Sequence, residues 1–336
     1  MSIEIIQSLP EDTWRLFVDR HPDGNIFQTP EMFNVFNDAY GYKPLLWAAI
    51  NSNQEPLAIF LPINISLKMG LLQYFTTRSI CFGSVLSMPG AEGNAALKFL
   101  LETYRHNITN GSLFTELRNL SDLGTIQPIL EEQDFSFEPH LNYLIDLRQS
   151  VAELKRNMDR EVMTNVRRAQ KKGVIVREIT RLDELPSLYA VLQNVFQRIQ
   201  VPLAPISLFA SAFKLLYPRK MIKVLVASVN GTIIGTAFRL LYKDSIFAWY
   251  AGALRSHATF KAHDLLNWHI LEWGAENGFR YFDFGGAGKP NQLYGPRNFK
   301  EKFGGRLVNF GRNRCIHAPL RLKASNFLYK LYRKTL

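Results

Sequence analysis

Residues 223–241 read KVLVASVNGTIIGTAFRLL. Two apolar, β-branched runs flank Asn230-Gly231, the dipeptide that best tolerates the two positive φ angles of a type I′ turn. The stretch therefore predicts an antiparallel hairpin of 223–229 with 232–241. Outward from it, residues 246–252 (IFAWYAG) predict the next strand, set off by Lys243-Asp244. Residues 265–277 space their apolar side chains as a helix does, and Gly278 stands at the position where a helix-ending glycine is favoured. Residues 279–284 predict another strand, which runs out on Gly285-Gly286. Upstream, 151–172 reads as one long helix, 174–179 as a strand, and 185–196 and 206–216 as helices.

The first half repeats this order. Residues 3–6 predict a strand and 10–19 a helix. In Phe27-Gln28-Thr29-Pro30-Glu31, Thr29 suits an N-cap and Pro30 the first helical position. The runs 45–50 and 57–65, split by the polar piece 51–54, predict a second hairpin; a helix over 91–106 and a strand over 113–117 follow. The repeat lies in the order of elements, with no sequence identity between the halves. It predicts an α+β (α/β) protein of two similar modules, each a mixed, mostly antiparallel sheet flanked by helices. The expected boundaries are 1–147, 148–311 and a basic helical tail, 312–336, with the break near 146–149.

Composition bounds the function. At 336 residues, 47% hydrophobic and 21% charged, the chain is globular and neither disordered nor fibrous. Two cysteines, Cys81 and Cys315, are too few for a disulfide framework or a thiolate zinc site, which fits a reducing compartment. The first residues lack a basic segment followed by an apolar run, and no stretch reaches the ~18 apolar residues of a membrane span. A cytoplasmic location is the expectation, peripheral at the inner face of the membrane if the tail binds there. Of the net charge of +11, residues 297–336 carry +10: eleven Lys/Arg against Glu301. Such a segment attracts an anionic partner. Within it, Leu320, Ala324, Phe327, Leu328 and Leu331 share one helical face of 319–336. Arg321, Lys323, Lys330, Arg333 and Lys334 lie largely off that face, as in a helix that packs on the body or rests on an anionic membrane. A second basic cluster contains Arg167, Arg168, Lys171 and Lys172. Arg167 and Lys171, like Arg168 and Lys172, are four apart and share a helix face.

Hairpin, further strand, helix and strand is the core order of the acetyltransferase (GNAT) superfamily, and here it occurs twice. Phe282-Asp283-Phe284-Gly285-Gly286, followed by Gly295-x-x-x-Phe299-Lys300-x-x-Phe303-Gly304-Gly305, resembles the FemABX family of aminoacyl-tRNA-dependent peptidyltransferases. Residues 165–174 (NVRRAQKKGV) resemble that family's entry to its second domain, and Phe27-Gln28-Thr29 the piece that opens its first. The resemblance implies tandem GNAT domains and transfer of an aminoacyl group from charged tRNA to an amine of a nucleotide- or lipid-linked peptidoglycan precursor. It implies no cofactor and no metal, because a tRNA ester is already activated. By the motif, Lys300 would stabilise the oxyanion and Phe299 would shape the pocket. Asp283 is a candidate for ordering the strand exit or binding the acceptor amine. Gly285 and Gly286 would let backbone approach a ligand, and Tyr294, Arg297, Arg255 and Tyr250 would line the substrate site. Arg167, Arg168, Lys171 and Lys172 would bind phosphates of tRNA or of the precursor.

Enzymes of this fold that use acetyl-CoA carry a glycine-rich pyrophosphate loop before the helix. Here residues 254–261 read LRSHATFK: Arg255 is present, both glycines are missing, and Phe260 crowds the approach. Acyl-CoA is therefore disfavoured as donor, and no insertion is long enough for a coiled-coil arm. Residues 284–290 fail as a phosphate loop, since Pro290 follows Lys289 where Ser or Thr is needed. His257, His263 and His269 recur every six residues, which does not put them on one helix face for a metal; they read as surface or cap residues. Cys81 reads as a core thiol. Two alternatives remain at this stage: an N-acyltransferase with another donor such as a thioester, and a non-catalytic binder of an envelope glycolipid or membrane.

Overall fold

The structure, a computed structural model, describes residues 2–66, 70–108 and 111–334, with the side chains of 70–72 and 329–334 excepted. The chain divides into two compact units, one of Met1–Pro139 with Phe310–Leu336, the other of His140–Asn309.

The second unit is built on β1 (Asn142–Asp146), α1 (Val151–Asn157), α2 (Arg160–Lys171), β2 (Ile175–Glu178), α3 (Leu185–Arg198), α4 (Ile206–Leu216), β3 (Ile222–Val229), β4 (Thr232–Tyr242), β5 (Ser245–Ala253), α5 (Ala262–Glu276), β6 (Tyr281–Gly286), α6 (Gly295–Glu301) and β7 (Arg306–Val308). Its seven strands run in the order β2-β3-β4-β5-β6-β1-β7. The hairpin forms as the sequence requires, with Asn230 at φ 49° and Gly231 at φ 76°. After β5 the chain crosses over through α5 and returns as β6, parallel to β5. Val162 and Val166 of α2, Leu266 and Ile270 of α5 and Phe282 of β6 are buried in one core.

Two expectations are corrected here. The predicted single helix over 151–172 is two. Met158 adopts an extended backbone and is buried, and Asp159 caps α2 by accepting from the Glu161 amide at 2.8 Å. The Asp159 amide itself donates to the Lys302 carbonyl at 2.8 Å. A tertiary contact thus breaks a helical pattern that is locally continuous. The expected boundary near 146–149 also shifts, to 139/140, because β1 pairs with β6 and β7 inside the second unit.

The first unit holds two sheets. Glu4–Ile6, Trp47–Ile50, Pro56–Phe60 and Leu86–Ser87 form a four-stranded sheet. The other has six strands, in the order Tyr42–Pro44, Ile63–Ile65, Arg78–Phe82, Phe114–Arg118, Arg312–Ile316 and Ser136–Glu138. Here too a helix, Ala91–Asn107, connects a parallel pair, Arg78–Phe82 with Phe114–Arg118. Thr29 caps the helix Pro30–Asn37 as expected, accepting from the Met32 amide at 3.2 Å. Cys81 is a core thiol, pushed up to about 12 by burial.

The segment 312–336 is not a separate tail. Arg312–Ile316 completes the six-stranded sheet by pairing with Phe114–Arg118 and Ser136–Glu138. The helix Pro319–Lys334 follows. Arg321 lies over the Tyr74 ring at 3.6 Å and donates to the Tyr74 carbonyl at 2.7 Å. On the expected apolar face Leu320 is 81% exposed and Phe327 62%. The side chains of Lys330, Leu331, Arg333 and Lys334, and residues 335–336, lie outside the described residues.

Candidate active site

The geometry of the site follows from how β5 leaves its neighbours. It pairs with β6 only at Ser245, Ile246 and Phe247, opposite Tyr281, Phe282 and Asp283, and then the strands part. Against β4 its register slips between Phe238 and Arg239, leaving Trp249 as the extra residue of a bulge. Ala248 to Ala251 are accordingly half-buried although β5 is a central strand. Parting strands leave carbonyls without ladder partners, and such groups require donors. Lys300, on α6, supplies them. Its ammonium donates to the carbonyls of Phe284 at 2.6 Å, Gly285 at 3.2 Å and Gly286 at 2.8 Å. Three N–H donors meet three carbonyls at the strand exit.

Asp283 orders the same turn. Its carboxylate accepts from the Gly285 amide at 2.6 Å, and Asn142 Nδ2 lies 3.4 Å from both of its oxygens. Gly285 sits at φ 69°, where a side chain would be strained, and a Cβ on Gly286 would meet His140 Cε1 at 2.7 Å. Burial pushes Asp283 up to about 6, against the pull of the Gly285 amide and of Lys300. Burial also holds Lys300 down to about 8, with Asp283 opposing and the charge of Arg239 adding to the effect.

Phe299 stacks on His263 with ring centroids 4.6 Å apart and 4° between planes. His263 is thus corrected from a surface or cap residue to part of the site, kept neutral by burial and by the charges of Arg239 and Lys300. Tyr250 packs among aromatic rings, 4.8 Å from Phe209 and 5.1 Å from Trp249. Tyr294, just before α6, is 40% exposed and lies against Gly288. Arg297 holds the loop after β6, donating to the carbonyls of Ala287 at 2.8 Å, Pro290 at 3.1 Å and Lys289. Those bonds brace the loop that carries Tyr294. Arg255 is exposed on a short helix, Arg255–Phe260, after β5.

The basic cluster of α2 divides by face. Arg168 and Lys172 join Lys261, Ala258 and Thr259 around an open cavity of about 410 Å³, and Lys172 donates to the Thr259 carbonyl at 3.1 Å. Arg167 and Lys171 are exposed and do not line it. A cavity of about 470 Å³ by Arg181 and Asp183 is less suited to an anion, because those two side chains pair with each other. Sequence reasoning passed over Arg239, Asn267 and Asn142. The signal for the first was present: an arginine inside the largely apolar run 233–241.

An acetyltransferase (GNAT) domain profile matches residues 156–301. A UDP-N-acetylmuramoylpentapeptide-lysine N(6)-alanyltransferase of Weissella viridescens is 22% identical over 175 residues, which cover 51% of this chain and 49% of that protein. The match thus spans about half the length of that relative. Among solved structures, FemX superposes with a TM-score of 0.73 at 13% identity, over 96% of this chain and 100% of the other. A tandem GNAT protein from the clavulanic acid biosynthesis pathway gives 0.58 at 12% identity, over 94% and 99%. The second unit thus carries a GNAT-type domain, its sequence is similar to that of a Fem-type alanyltransferase over about half of each chain, and nearly the whole chain shares the fold of FemX.

Proposed function

We propose that the protein transfers an aminoacyl group from charged tRNA to an amine of a peptidoglycan-type precursor, nucleotide- or lipid-linked, without metal or other cofactor. The observation that carries this reading is the slot where β5 and β6 part, with the Lys300 ammonium bound at the end of β6. Acyl transfer needs little more. The amine nitrogen attacks the ester carbonyl, the carbonyl electrons move onto oxygen, and the intermediate collapses with the C–O bond to ribose breaking. The amine proton ends on the ribose hydroxyl. A preorganised positive charge beside the developing oxyanion lowers that barrier. In this reading the Lys300 ammonium turns part of its donor capacity from the strand-exit carbonyls to that oxyanion, with Phe299 held against His263 beside it. The cavity at Arg168, Lys172 and Lys261 suits a phosphate of tRNA or of the precursor.

The test is incubation with bulk charged tRNA and envelope-precursor extract, followed by mass spectrometry of the precursor. An increment of one amino-acid residue is expected. An increment only with acyl-CoA would replace this reading with the thioester one. Binding of charged tRNA should weaken steeply with salt, because phosphate contacts release counterions.

The helix Pro319–Lys334 bears on location. No described helix is long and apolar enough to cross a membrane. Exposed Leu320, Phe327 and Leu328 beside basic residues support peripheral contact of this helix with an anionic membrane, at its cytoplasmic face. Deleting 319–336 is expected to reduce binding to phosphatidylglycerol vesicles by about tenfold or more. Unchanged binding would leave the segment as a packing helix.

A further inference from the structure

Arg239 is a buried cation. It is 1% exposed, on β4, and among the described residues it forms no ion pair with an acid. Nη2 donates to Asn267 Oδ1 at 2.8 Å, and Asn267 is oriented in turn by its own Nδ2, which donates to the His263 carbonyl at 2.8 Å. Nη1 reaches the carbonyls of Phe238 and Tyr250 at 3.5 Å, Nε has no partner, and the guanidinium lies 5.7 Å from the Phe282 ring centre. Burying a charge this way is unfavourable, and an apolar side chain of similar length would avoid the cost. Its position is specific: beside the bulge, where β5 begins to leave β6. The charged groups that act on Lys300 are Asp283 and Arg239; those that act on His263 are Arg239 and Lys300. Two cations therefore face one carboxylate, and the slot is net positive.

We propose that Arg239 is a positioning residue of the acyl-transfer site, which pins the bulged strand through the Tyr250 carbonyl and places a second buried positive charge behind Lys300. This rests on the transfer reading above. Arg239 touches no substrate. It acts by keeping the slot open and by biasing it toward the negative charge that forms in the transition state.

The test compares Arg239→Met and Arg239→Lys with wild type in the full chain. Three measurements are made: thermal unfolding, the NMR titration of the His263 ring, and the pH dependence of aminoacyl transfer. Arg239→Met should keep or raise the melting temperature, since it removes an uncompensated buried charge. It should move the His263 titration upward, shift the alkaline limb of the rate up by about one pH unit, and lower kcat about tenfold or more. Arg239→Lys, which keeps the charge, should retain the low His263 titration and part of the rate. A less stable Arg239→Met variant with the His263 titration and the alkaline limb unmoved would make Arg239 a structural residue and overturn the proposal. Wild-type protein inert toward charged tRNA would sink the transfer reading alone, and the His263 titration and melting temperature would still decide whether Arg239 sets the field of the slot.

Discussion

Replacing Lys300 by alanine is expected to lower aminoacyl transfer by about 10²-fold, the usual loss when one preorganised donor to an oxyanion is removed. The three carbonyls at 284–286 would lose their shared donor at the same time. Far-UV circular dichroism should nevertheless report a folded chain, because Lys300 is itself no member of the apolar core that Phe284, Ala287 and Phe303 join beside it. The pH profile separates charge from geometry. Asp283 titrates near 6 and Lys300 near 8. Below about 6 the Asp283 carboxylate that orders Gly285 is lost, and above about 8 the Lys300 ammonium is lost. Activity should therefore rise through the first value and fall beyond the second. In Lys300→Arg the alkaline fall should vanish, since a guanidinium keeps its proton throughout that range. Wild-type turnover in Lys300→Ala would remove this residue from the mechanism.

The parts of this site that sequence revealed are those written in local chemistry. Asn230-Gly231 fixes a turn by its own backbone preferences, and Gly285-Gly286 marks a strand exit for the same reason. Phe299 and Lys300 were legible through a short motif. What sequence concealed is long-range. Nothing near residues 142–146 says that this strand pairs with 281–286 across more than 130 residues, and nothing near 312–316 says that it returns to 114–118. Strand partners are chosen by packing, and each half looks complete without them. The break at Met158 and Asp159 is hidden for a similar reason, as its cause is a bond to Lys302. For His263, the six-residue spacing carries no information on which ring the imidazole will stack against. That partner, Phe299, lies 36 positions away and on another helix. Arg297, whose place in the motif suggests a substrate ligand, also donates to three carbonyls of the loop after β6, a partnership that no local pattern announces.

The largest stability effect is expected in the first unit, at Glu116→Gln. The Glu116 side chain is 3% exposed on the strand Phe114–Arg118. One carboxylate oxygen accepts from Arg118 Nε at 2.9 Å and from Arg312 Nη1 at 3.1 Å, and the other accepts from Arg314 Nη2 at 2.5 Å. Two of those arginines belong to the strand that returns from the end of the chain, so this carboxylate fastens Arg312–Ile316 into the sheet. Burial alone would raise the acid, but the three arginines outweigh it and hold Glu116 down to about 2. Relative to an ordinary glutamate that difference is worth about 3 kcal/mol, in line with the roughly 3–5 kcal/mol lost when one partner of a buried ion pair is removed. Glu116→Gln would leave three crowded guanidiniums with one carboxylate fewer, while Glu138 still pairs with Arg314 at 3.3 Å. A fall of about 10 °C in the melting temperature of this unit should result. The sign of the pH dependence follows from the lowered acid. The stabilisation is fully present above about 4.5, the ordinary glutamate value, and is lost as the pH falls toward about 2. Wild-type protein should lose stability across that window, and Glu116→Gln should show a flatter profile there. Adding Arg312→Gln to Glu116→Gln should recover part of the loss by removing one of the like charges. A Glu116→Gln protein that melts with wild type would mean that the returning strand is held by its backbone ladder and apolar contacts, with the ion cluster contributing little.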